Sequence, residues 1–197
     1  FRLIRLGVLG STKGTDLVPI FDAINSGELQ ASVEIVISNK ESSLILEKAK
    51  NNGVASVFIS HTNKPRESFD REVEKNLLKK NVDLVLLIGF MRILSRGFVQ
   101  RWAGRIINVH PSLLPKHAGG MNNDVHRDVL LAKEKETGCT IHLVTAEVDR
   151  GPIIIQKKCS VFHDDTTETL KERVQSLEGV AFVEAINKMR GILKNEN

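Results

Sequence analysis

The chain has 197 residues, 41% of them hydrophobic and 26% charged, with 14 Gly and 5 Pro. That length can bury a core as one large α/β domain or two small ones, and the composition excludes a largely disordered chain. A surplus of four positive charges, 28 Lys and Arg against 24 Asp and Glu, suits phosphorylated metabolites or nucleic acid without choosing between them.

The opening run Phe1-Arg2-Leu3-Ile4-Arg5-Leu6 is too short and too charged for a secretory leader. Residues 3–9 read as a buried strand, 10–16 (GSTKGTD) as a loop, and 17–25 as a helix. A second strand is expected at 33–38, a helix at 42–51 stopping at Gly53, and a short strand at 57–59. Pro65 opens a helix in which Phe69, Val73 and Leu77 recur every four residues and so share one face. The continuous apolar run 84–88 (LVLLI) suits the centre of a parallel sheet. Even extended to Phe90 it falls far short of the roughly 20 residues that span a bilayer. Ser95 caps a helix running toward Trp102, and 106–109 is the next strand.

Beyond that point the pattern is less regular. Residues 111–124 form a loop rich in Pro, Gly and Asn, followed by a helix at 125–135, strands at 140–144 and 153–161, and a long helix at 167–192. Cys139 and Cys159 have no zinc-like spacing and are expected to stay reduced. The βαβα order predicts a single doubly wound, Rossmann-like α/β domain over 1–197 with a mostly parallel central sheet. A nucleotide-binding half is expected over about 1–100, and a catalytic half over about 101–197.

Ligands of such sheets lie at the carboxyl ends of the strands. Three polar clusters fall there: 10–16, 89–94 and 108–112. In the third, Asn108 and His110 alternate along a strand and therefore share a face. An amide donor beside an imidazole can hold the oxygen of a carbonyl under attack, and the imidazole can protonate it. The same two residues could equally cap a strand and bond a turn. Asp149 lies in a loop closed by Gly151-Pro152, where a carboxylate could orient the imidazole and take up a proton. Alone, it could equally be a turn residue satisfying its own backbone.

The runs Gly89-Phe90-Met91-Arg92-Ile93-Leu94, Asn108-Val109-His110-Pro111-Ser112-Leu113-Leu114-Pro115 and Asp149-Arg150-Gly151-Pro152 strongly resemble the phosphoribosylglycinamide formyltransferases of purine biosynthesis. Ser38-Asn39-Lys40, Arg66-Glu67 and Arg173-Val174-Gln175 extend the likeness over nearly the whole chain. The resemblance implies transfer of the formyl group of 10-formyltetrahydrofolate, a co-substrate, to the amine of glycinamide ribonucleotide. Asn108 and His110 would stabilise the tetrahedral oxyanion, and Asp149 would assist proton transfer. Gly14, Thr15, Asp16 and Glu178 match ribonucleotide-binding positions; Arg66, Met91, Arg92, Ile93 and Leu94 match folate-binding ones. The chemistry implied needs no metal, and the setting is cytoplasmic, in a monomer or homodimer without nucleic-acid or membrane partners.

Two segments depart from the family pattern. Thr12 stands where a glycine is expected, and Asp16 must cap its helix rather than face a phosphate. The loop 116–127 is about three residues longer than the family's, leaving the roles of His117, His126 and His142 open. Methionyl-tRNA formyltransferases and formyltetrahydrofolate deformylases share the Asn, His and Asp set but carry a further domain, for which this chain has no room. Sugar-nucleotide formyltransferases are a lesser alternative. A nucleic-acid module would need clustered bases and aromatic platforms, yet the basic residues are dispersed and aromatics are 5%.

Overall fold

In the computed structural model, which describes residues 2–120 and 123–195, seven strands and six helices follow one another, alternating except where β7 succeeds β6 directly. The strands form a sheet in the order β3-β2-β1-β4-β5-β6-β7, the mostly parallel α/β arrangement expected from the sequence. The chain divides into two compact units, Phe1–Asn108 and Val109–Asn197.

The first unit contains β1 (Ile4–Leu9), α1 (Leu17–Asn25), β2 (Ala31–Ser38), α2 (Leu44–Asn51), β3 (Ala55–Phe58), α3 (Arg66–Lys79), β4 (Leu84–Leu87) and α4 (Arg96–Arg101). It also holds most of β5 (Ile106–His110). β1 pairs in parallel with β2 on one side and β4 on the other, so the winding reverses between β1 and β4. At such a reversal the loops leaving two neighbouring strands diverge and open a crevice. β4 is buried along its whole length, which explains why it reads as continuous rather than alternating. Phe69, Val73 and Leu77 of α3 are fully buried, as their spacing predicted.

The second unit contains α5 (Asn123–Leu131), β6 (Glu136–Leu143), β7 (Ile153–Ser160) and α6 (Thr167–Asn195). β6 and β7 are antiparallel, with Glu136 opposite Ser160 and Thr140 opposite Gln156. β6 starts four residues before the expected 140, because Glu136, Thr137 and Gly138 join the ladder without an apolar pattern of their own. The α5 helix stops earlier than the expected 135; Lys133 just beyond it has φ +52°, a left-handed conformation that ends a helix. Among the described residues no helix is long and apolar enough to cross a membrane.

Candidate active site

His110 ends β5 and is 3% exposed. Its Nδ1 lies 3.3 Å from Oδ2 of Asp149, just beyond an ordinary hydrogen bond. Its Nε2 lies 2.8 Å from the carbonyl oxygen of His117. A carbonyl can only accept, so Nε2 carries a proton there, and Nδ1 is the nitrogen free to change state. Asp149 is held from two further directions. The Gly119 backbone N–H donates to Oδ2 at 2.8 Å, and Nε2 of buried His142 lies 3.5 Å from Oδ1. His142 Nδ1 in turn donates to the Leu143 carbonyl at 2.9 Å, which fixes its ring.

The backbone accepts strain to make this cluster. Asp149 has φ +55° and His117 also has φ +55°, in the left-handed region that side chains other than glycine enter at a cost. Gly151 lies against the Leu143 carbonyl, where a Cβ would sit 1.7 Å from the oxygen, so the chain can turn back tightly after Asp149. Beside this turn is a cavity of about 310 Å³ lined by Leu114, Pro115, Ala118, Asp149, Arg150, Gly151 and Ile153. A larger cavity of about 550 Å³, between Lys116, Glu134, Glu136 and Lys158, includes neither His110 nor Asp149.

Burial pushes the pKa of His110 below its ordinary value, although the charge of Asp149 and the His117 carbonyl pull it back. Burial alone would raise Asp149, but the neighbouring His142 ring, the His110 ring and the Gly119 N–H together hold it low. The pair is therefore a neutral imidazole beside a carboxylate, poised to accept one proton. Nearby on α5, His126 is 2% exposed, and its Nδ1 has no hydrogen-bond partner. Burial, reinforced by Lys171 and His110, pushes its pKa down to about 4.

The first two polar clusters meet at the carboxyl ends of β1 and β4. Ser11 N donates to the Gly89 carbonyl at 3.0 Å, and Ser11 Oγ accepts from Met91 N at 2.9 Å. The Ser11 hydroxyl proton goes to Oδ1 of Asn39 at 2.5 Å. Gly89 has φ +57°, and a Cβ there would approach Oγ1 of Thr12 to 2.4 Å, so the Thr12 that departs from the family pattern packs directly on this glycine. Asn108 belongs to the same edge: in the β4–β5 ladder it lies opposite Leu87, two residues before Gly89.

Thr15 and Asp16 precede α1, and Gly14 abuts Ile45 of α2. Asp16 occupies the N-cap position, but its backbone is already helical (φ −72°, ψ −14°) and its side chain makes no capping bond. The expected cap is therefore corrected: a cap residue accepts from the first turn out of an extended conformation, which Asp16 lacks. Lys48 Nζ donates to the Lys13 carbonyl at 2.6 Å, bringing a cation to this loop that the sequence pattern did not reveal.

Of the folate-matching positions, Arg66 opens α3, Met91 and Ile93 are 37% and 58% exposed, and Leu94 is buried. Arg92 stacks its guanidinium over the Phe69 ring at 4.5 Å and leaves a buried Nε without a partner. Glu178 on α6 is 9% exposed, not the solvated charge that its helix pattern suggests. Met121 and Asn122 of the long loop lie outside the described residues. The parts that sequence reasoning left unassigned are the His117 carbonyl, the Gly119 N–H and His142. Only His142 had a side-chain signal, a histidine alternating with apolar residues on a strand.

The sheet order and the His110–Asp149 pair beyond the end of β5 define an α/β protein with a titratable pair at the carboxyl end of a strand. The formyl transferase family profile matches residues 4–186, and the chain belongs to this family. It is 41% identical over 176 residues to the phosphoribosylglycinamide formyltransferase of Escherichia coli K12, covering 89% of this chain and 82% of that one. It is 42% identical to the trifunctional purine biosynthetic protein adenosine-3 of Drosophila melanogaster, over 94% of this chain. The chain spans only 14% of the length of that protein. Among solved structures, glycinamide ribonucleotide transformylase 1 of Symbiobacterium toebii superposes with a TM-score of 0.91 at 38% identity, covering 96% of this chain and 89% of that one.

Proposed function

We propose that this chain moves the formyl group of 10-formyltetrahydrofolate to the primary amine of glycinamide ribonucleotide, as one formyltransferase domain in the cytoplasm. The amine nitrogen attacks the formyl carbon, a C–N bond forms, and negative charge gathers on the formyl oxygen. Asn108 donates a hydrogen bond to that oxygen, and His110, once Nδ1 beside Asp149 has taken up a proton, stabilises it by the charge of the imidazolium; both effects strengthen as the carbon becomes tetrahedral. The attacking nitrogen loses a proton to Asp149, directly or through water. The bond from carbon to the folate nitrogen then breaks, and a proton returns to that nitrogen.

Gly14, Thr15 and Asp16, with Glu178, are assigned to the ribonucleotide. The backbone N–H groups before α1 suit its phosphate, since a helix N-terminus favours an anion. Arg66, Met91, Arg92, Ile93 and Leu94 are assigned to the folate, with the guanidinium of Arg92 already oriented by Phe69.

The observation that carries this reading is the buried His110–Asp149 pair, 3.3 Å apart in a chain whose formyl transferase match runs across both units. The test is turnover of 10-formyltetrahydrofolate with and without glycinamide ribonucleotide. Formyl loss that requires the ribonucleotide supports transfer; equal loss to water in its absence would instead mark a deformylase. A formyltetrahydrofolate deformylase of Pseudomonas syringae shares the fold at a TM-score of 0.86 and 25% identity, which makes this contrast the informative one.

A further inference from the structure

The proton on Nε2 of His110 is set by one backbone carbonyl, that of His117, and the carbonyl sits in a segment with no helix or strand to hold it. What holds it is a chain of side-chain bonds from the β6–β7 ladder. Thr140, fully buried on β6, donates its hydroxyl proton to the Ser112 carbonyl at 2.7 Å and accepts from Leu114 N at 3.0 Å. Gln156, directly opposite on β7, donates through Nε2 to the Leu114 carbonyl at 2.9 Å and to Thr140 Oγ1 at 3.0 Å. Ser112 Oγ then donates to the Lys116 carbonyl at 2.6 Å, one residue before His117.

A hydroxyl has one proton and two acceptor positions. All three are used at Thr140, so its orientation is determined, and both protons of the Gln156 amide are committed. Segment 112–116 is thereby tied to the ladder at both Ser112 and Leu114. Such over-determination is what a left-handed His117 requires to persist. Nothing in core packing calls for Gln156, whose residue is exposed on its strand.

We infer that Gln156 is a positioning residue: with Thr140 it holds segment 112–117 so that the His117 carbonyl keeps the proton of His110 on Nε2. Nδ1 is thereby left as the nitrogen that exchanges a proton with Asp149. The kinetic consequence rests on the formyl-transfer reading above; the tautomer does not.

The experiment uses the full chain and Gln156→Met, which keeps length and removes both donors, with Gln156→Lys as the variant that restores donors. Nitrogen-15 correlation spectra of the His110 ring report which nitrogen carries the proton, without any substrate. The wild type should show the Nε2–H form. In Gln156→Met a measurable fraction should shift to Nδ1–H, and in Gln156→Lys the Nε2–H form should return. With both substrates, kcat of the Met variant should fall about 10-fold while each KM stays within about 2-fold, short of the ~10²-fold that a 1 Å misplacement costs.

A folded Gln156→Met with the wild-type tautomer and unchanged kcat would overturn the proposal. So would a loss of kcat that tracks a fall in melting temperature while the tautomer is unmoved, since that is a merely structural role. A tautomer shift in a chain with no formyl transfer would uphold the positioning and reject the assigned reaction.

Discussion

The edge formed by residues 10–16 and 89–94 and the cluster around His110 and Asp149 are built from opposite materials. At the first, Ser11, Asn39 and backbone groups satisfy one another with neutral hydrogen bonds, the ring of His61 touching only the far side of Asn39, and only the glycines Gly14 and Gly89 take a left-handed conformation. At the second, two buried histidines face one carboxylate, and a third lies close by on α5. Neutral networks hold a shape at any moderate pH, whereas titratable clusters trade stability for a proton they can move. On the function proposed above, the first holds a ligand and the second reacts with it.

The largest expected effect comes from breaking the reactive side. His110→Ala or Asp149→Asn should lower formyl-transfer turnover by about 10²–10³, the usual loss for one transition-state donor. Asn at 149 can still accept from Gly119 N, so its melting temperature should stay within a few degrees of wild type. Full activity in either variant would remove the pair from the mechanism.

Acid should damage the same side. The pKa of His126 lies near 4 in the folded chain and about 6.5 unfolded, so between those values only the unfolded chain binds the proton. Stability should therefore fall as pH drops from about 6.5 to 4. At about 1.4 kcal/mol per unit, this histidine accounts for up to about 3 kcal/mol. His110 acts in the same direction, because its pKa is also lowered. Urea unfolding at a series of pH values should show the loss, and His126→Leu should flatten it. An unchanged slope in that variant would mean His126 does not carry the effect.

The ligand-loop side should answer in packing rather than pH. Gly89→Ala introduces a Cβ against Thr12 at a left-handed position, and we expect a cost of about 1–3 kcal/mol. Thr12→Ala in the same chain should recover part of it, because the clash is with that side chain. Additive losses in the double-mutant cycle would show that backbone strain alone is responsible.

The smallest effect is expected at Ser11. Its removal in Ser11→Ala leaves the Met91 N–H and the side-chain Oδ1 of Asn39 without this partner, a loss of about 1–2 kcal/mol. The loss should be nearly the same at pH 5 and pH 7.5, in contrast to the response of the His126 position. A strong pH dependence at Ser11 would erase the distinction between the two regions.

Much of this molecule was already determined by the order of its residues. Local patterns carry helices and buried strands, so α1 falls at 17–25 as expected, and LVLLI marks a strand covered on both faces. The alternation of Asn108 and His110 at a strand end, followed by an aspartate in a Gly-Pro turn, was equally legible, because residue type and spacing are local properties. The start of β6 was not, since Glu136 and Thr137 become strand only by pairing with Ser160 and Cys159 far along the chain. Nor was the state of His110: its tautomer depends on a backbone carbonyl at 117 and its lowered pKa on burial. Asp16, which reads as a helix cap, fails as one because its backbone is already helical. Sequence names the groups that can react; the distances, burial and backbone angles that decide which proton moves arise only when distant segments are brought together.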